Sequence, residues 1–120
     1  MKRKICSFVL IGMIMMSGCT ATAPPQGTSQ EMYDLGVECL DKLNAYVDGK
    51  LSLESFSEEI EDAYLEGQLL LQEEDVEKYS NDEAIVEVLL SISIYNRSSE
   101  EGDTYEQELL IEDLEEALGR

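Results

Sequence analysis

The side chains able to do chemistry in this 120-residue chain are carboxylates and thiols, with 27 Asp and Glu, three cysteines and no histidine. The absence of imidazole removes the commonest general base and the commonest transition-metal ligand. A nucleophilic cysteine needs a partner base and an electropositive setting. Cys39 is instead flanked by Glu38 and Asp41 and falls on an apolar helical stripe, so it reads as a buried thiol behaving as a small hydrophobe. Three acidic clusters could gather divalent cations: Glu73-Glu74-Asp75, Glu100-Glu101-Asp103 and Glu112-Asp113-Glu115-Glu116. They lack the Glu-x-x-His pattern of di-metal bundles, and no spacing singles out a glycosidase-type carboxylate pair. They read as solvated charge. No catalytic, metal-binding or cofactor-binding residue is assigned, and the chain is expected to be non-enzymatic.

One stretch needs closer weighing. Asp48-Gly49-Lys50-Leu51-Ser52 resembles the second half of an EF-hand calcium loop, with a ligand, a turn glycine, an aliphatic residue and a further ligand in order. The other ligand positions hold Asn44, Tyr46 and Ser55, so the opening oxygen is neutral, the third is aromatic and the closing bidentate carboxylate is missing. Such a loop should bind calcium weakly or not at all. A helix stop at Gly49 followed by a new N-cap at Ser52 accounts for the same residues.

The remaining chemistry lies at the N-terminus. Lys2, Arg3 and Lys4 form a basic start, Ile5 to Met16 an apolar run, and Ser17-Gly18-Cys19 a small-residue processing site, the layout of a secretory signal. The run Met16-Ser17-Gly18-Cys19 also resembles the lipobox of bacterial lipoproteins. In that family the signal peptide is cut just before the cysteine, whose thiol and new amino group receive acyl chains such as palmitate. The resemblance implies cleavage of residues 1–18, lipidation of Cys19, and a place in the bacterial cell envelope, anchored to the extracytoplasmic face of a membrane. It says nothing about the fold of the rest. The apolar run is only about a dozen residues, against the roughly 20 that a spanning helix needs, so an uncleaved anchor is not expected.

Cleavage after Gly18 leaves 102 residues, enough for one small domain. Lys42, Lys50, Lys78, Arg97 and Arg120 then face 27 acidic residues, a formal balance of −22. That surface excludes nucleic acid, which requires a basic footprint. It is repelled by anionic lipid, so membrane attachment falls to the acyl chains. A basic protein partner would be attracted and steered in a salt-sensitive way. Cys6 leaves with the signal and Cys19 carries lipid, so Cys39 has no partner for an intrachain disulfide and the fold must hold by apolar burial.

Residues 19–28 comprise the lipidated Cys19 and a polar Pro- and Gly-bearing stretch that reads as a short flexible, disordered tether. Residues 29–120 read as an acidic helical domain. Capping boxes are expected at Thr28 with Glu31, Ser80 with Glu83 and Thr104 with Gln107. Ser52 is the expected cap of the second helix, with Leu51 and Phe56 at hydrophobic-staple spacing. The first helix carries Met32, Leu35, Cys39, Leu40, Leu43 and Val47 at three- and four-residue spacing; the second Phe56, Ile60, Ala63, Tyr64, Leu70 and Leu71; the fourth Leu110, Ile111, Leu114, Ala117 and Leu118. The second helix ends somewhere between Gln72 and Tyr79.

The segment 83–96 is ambiguous. Val88, Leu90, Ile92 and Ile94 alternate with serines as a strand would, while Ile85, Leu89, Ile92 and Tyr95 fit a helix. No second strand is available to pair with, so helix is preferred, as the most buried member. The whole is expected to be all-α, a small antiparallel four-helix bundle. Gly36 and Gly67, on or beside the apolar stripes, are expected at close helix approaches. The six tyrosines are candidates for core edges or partner contact. Asn96-Arg97-Ser98 matches a glycosylation sequon by chance. The expected function is that of an accessory, inhibitor-like or immunity-like module that binds another protein. The alternative is a lipoprotein holding a small ligand or cation between its helices.

Overall fold

The computed structural model describes residues 24–120, so the segment read as a signal peptide and Cys19 lie outside the described residues. It contains α1 (Gln30–Val47), α2 (Leu53–Glu73), α3 (Asp82–Ser98) and α4 (Tyr105–Ala117), with no strand among the described residues. The bundle read from the sequence is the fold observed. Helices α1 and α3 form one diagonal and touch each other, while α2 and α4 occupy opposite corners and do not meet.

The ends of the helices follow local chemistry, sometimes one residue away from expectation. Ser29, rather than Thr28, caps α1, its hydroxyl accepting from the Met32 N–H at 3.2 Å. Thr28 instead accepts a 2.7 Å bond from the Asn81 side-chain amide. Ser52 caps α2 as expected, accepting from the Ser55 N–H. Asn81, not Ser80, precedes α3 and makes no side-chain cap. Thr104 does precede α4, but its hydroxyl donates to Glu108 at 2.9 Å, and Gln107 turns into the core. Gly49 at φ 78° stops α1 in the left-handed conformation that glycine adopts without penalty. The Asp48–Ser52 stretch is thus a helix stop followed by a helix cap.

Met32, Leu43, Phe56, Ile60, Ile85, Leu89, Ile92, Leu114 and Leu118 are almost completely shielded from solvent and draw on all four helices. Tyr46 of α1 stacks on Phe56 of α2, with centroids 5.0 Å apart and planes 7° from parallel. The Tyr46 hydroxyl donates to the Asp103 carbonyl at 3.3 Å, tying this end of the bundle to the α3–α4 connection. Gly36 and Gly67 sit at close approaches, as expected. A Cβ at Gly36 would lie 2.7 Å from the Leu118 Cδ2, and one at Gly67 would lie 3.0 Å from the Val86 Cγ2.

Segment 83–96 is helical, which settles its ambiguity, but it is not buried all round. Leu90, Ile94 and Tyr95 are exposed, and α1 buries at least as many side chains. The polar stretch read as a tether is docked from Pro25 onward. Thr28 is buried, the Asn81 N–H donates to the Gly27 carbonyl at 2.9 Å, and Gly119 lies under Pro25.

Gln107 is fully buried and donates from its amide to Asn96 at 2.9 Å and Ser99 at 3.0 Å, joining α4 to the end of α3. Gln107→Leu is therefore expected to cost about 1–3 kcal/mol by stranding Asn96, a loss readable from urea unfolding. The same burial makes Asn96 a poor acceptor for a glycan.

Candidate interaction surface

Cys39 lines a cleft of about 190 Å³ between α1 and α2 together with Leu35, Glu38, Lys42, Glu59, Ile60, Ala63 and Glu66. The thiol is 2 % exposed. Burial, reinforced by the charges of Glu38 and Glu66, pushes its pKa to about 12, and the opposing Lys42 is too weak to reverse this. Lys42 is itself paired to Glu59 at 2.6 Å. The buried-thiol reading therefore holds, and burial disfavours the thiolate that nucleophilic work requires.

A shift from 9.0 to about 12 leaves roughly a thousandfold less thiolate at neutral pH. Iodoacetamide should accordingly modify Cys39 of the folded chain far more slowly than that of the urea-unfolded chain. Peptide-level mass spectrometry separates it from Cys6 and Cys19, and rapid native labelling of Cys39 would contradict the buried geometry.

The acidic clusters are pulled to different tasks. Glu101 uses both carboxylate oxygens, each at 3.1 Å, to accept the Leu53 N–H at the start of α2, where negative charge suits the helix dipole. Asp75 accepts from the N–H groups of Glu77 and Lys78 and shapes the α2–α3 connection. Glu112, Asp113, Glu115 and Glu116 surround an open acidic hollow with Gly119 and Arg120 at the end of α4. Among the described residues no three metal-ligating side chains converge on a common point.

The feature the sequence did not single out is an exposed apolar face. Leu65 and Leu69 lie one turn apart on α2, and Leu90 and Ile94 one turn apart on α3. Leu65, Leu69 and Ile94 are 60 %, 58 % and 52 % exposed. Helices α2 and α3 are neighbours, and the Arg97 guanidinium approaches Glu61 at 4.0 Å across their outer edge. Exposed Glu58, Glu61, Asp62, Glu66, Glu83 and Glu87 lie on the same two helices. Tyr95, Tyr105 and Leu109 are exposed as well, whereas Tyr33 and Tyr46 are buried. The signal was present in the sequence: the alternation that made segment 83–96 resemble a strand places Leu90 and Ile94 outside once the segment is a helix.

No helix among the described residues is long and apolar enough to cross a membrane. Comparisons with protein-family models, with characterised proteins and with solved structures give no match to this chain.

Proposed function

We propose that this chain is a non-enzymatic, extracytoplasmic lipoprotein, held to the bacterial envelope through lipid on Cys19, whose acidic bundle binds a basic protein partner. The anchor rests on the N-terminal pattern from Lys2 to Cys19. The binding role rests on one observation above all, the exposed Leu65, Leu69, Leu90 and Ile94 on α2 and α3, helices that also carry exposed carboxylates. Four large aliphatic side chains on two adjacent helices leave apolar area in water that a partner would cover. The charge on the same helices selects a partner with an apolar centre and a basic rim, and would speed its approach at low salt.

The full chain in detergent, immobilised and exposed to solubilised envelope at low and moderate salt, tests this reading. One basic protein should be retained past moderate salt. Leu65→Glu together with Ile94→Glu should reduce that retention by about tenfold or more, because charge introduced at the centre of an interface removes its apolar contact. If the doubly substituted chain holds basic proteins as well as the parent, charge alone drives binding and the α2–α3 face is not the site.

The alternative, a small ligand or cation held between helices, has the α1–α2 cleft beside Cys39 as its candidate site. A volume of about 190 Å³ suits a ligand smaller than those that fill typical binding pockets.

A further inference from the structure

Asp82 opens α3 and is fully buried. Its carboxylate accepts two hydrogen bonds from Ser29, at 2.9 Å from the backbone N–H and 2.6 Å from the hydroxyl, and so also orients the cap of α1. Within hydrogen-bonding reach of Asp82 stands the carboxyl of Glu74, the residue that ends α2. The Oε2 of Glu74 is buried and has no donor among the described residues. Two facing carboxylates cannot bond each other without a proton between them, and the buried oxygen then lacks any partner. Each oxygen of Asp82 already accepts one hydrogen bond from Ser29. The missing donor therefore belongs on Glu74.

We propose that Glu74 and Asp82 share a proton that clasps the 74–81 connection onto the first turn of α1, and that loss of this proton releases the connection. The charged groups facing Glu74 are Asp82 from α3 and Glu31 from α1, with Glu73 and Asp75 beside it in the chain. Burial, the hydrogen bond to Asp82 and the like charges of Asp82 and Glu31 together raise the Glu74 pKa from 4.5 to about 7. Between those values the folded chain holds a proton that the unfolded chain has lost. Stability thus falls as pH rises through this window, and the whole penalty is present above about 7. The far end of the connection is pinned by bonds that do not titrate, from the Asn81 amide to the Thr28 hydroxyl at 2.7 Å and the Ala117 carbonyl at 2.8 Å. With Glu74 released, the turn in which the N–H groups of Glu77, Lys78 and Tyr79 bond back to Asp75 would lose its anchor and open.

Hydrogen exchange of the full chain in detergent, read by mass spectrometry at about pH 5.5 and about pH 8 and corrected for intrinsic rates, tests the clasp. Protection of the Glu77, Lys78 and Tyr79 amides, which bond back to Asp75, should fall by about tenfold or more on going to the higher pH. Glu74→Gln supplies a donor that does not titrate and should stay protected at both values. Glu74→Ala should be unprotected at both. Equal protection of the parent at the two pH values overturns the proposal. So does a Glu74→Gln profile that follows the parent, or a Glu74→Ala profile that matches it.

Discussion

Phe56→Ala is expected to lower the unfolding free energy by about 3–5 kcal/mol, a large share of the roughly 5–15 kcal/mol available to a domain of this size. Phe56 is fully buried at the second-helix end of the aromatic stack with Tyr46, and no disulfide or metal among the described residues adds a second constraint. Truncation removes both the buried ring area and its offset contact with Tyr46, and leaves a cavity that the short α1–α2 connection hinders from collapsing. The effect should propagate, because Tyr46 also holds the α3–α4 connection through Asp103. Urea unfolding followed by far-UV circular dichroism reads the loss as a lower midpoint. Phe56→Leu, which keeps much of the volume, should recover most of it. A Phe56→Ala midpoint close to that of the parent would mean that the stack is not part of the cooperative core.

Gly36→Val is expected to destabilise by about 2 kcal/mol or more, whereas Gly36→Ala should fall within about 1 kcal/mol of the parent. The two substitutions separate close packing from helix propensity. An added Cβ would meet the Leu118 Cδ2 at 2.7 Å and the Ile85 Cγ2 at 3.3 Å. The nearer atom ends a flexible side chain that can rotate a little. For alanine that small shift is offset by the gain of roughly 1 kcal/mol that alanine makes over glycine inside a helix. Valine adds two methyl groups where Ile85 and Leu118 are already shielded from solvent, so α1 must move away from α3 and the end of α4. Parallel thermal melts of the two variants give the answer, and equal stability for both would remove the close-packing argument.

Much of the architecture was legible because it rests on local rules. Apolar side chains at three- and four-residue spacing on α1, α2 and α4 have no other way to be buried together, and Gly49 and Ser52 punctuate the chain by their own backbone chemistry. The absence of histidine and the flanking of Cys39 by acids were likewise sufficient to disfavour a nucleophile, and the burial of that thiol agrees. Adjacent residues of equal capping ability were not separable on that basis. Ser29 wins over Thr28 because Asp82, distant in sequence, takes the Ser29 N–H and hydroxyl, while Thr28 is claimed by Asn81.

The same reason explains what only the tertiary structure decided. Gln107 looks like a capping residue from its spacing to Thr104, yet it is drawn inward by Asn96 and Ser99 across the α3–α4 interface. Leu65, Leu69, Leu90 and Ile94 are as hydrophobic as their buried neighbours, and composition cannot distinguish them. Their exposure follows from a four-cornered arrangement in which each helix turns only part of its circumference toward the others. Glu73, Glu74 and Asp75 are three similar acids in sequence, but only at Glu74 does the end of α2 bring a carboxyl to Asp82 and bury one of its oxygens without a donor. By itself the sequence determined the helices, their approximate ends and the acidic field. Which polar groups meet depended on long-range packing, because a side chain's partners come from helices that no local pattern specifies.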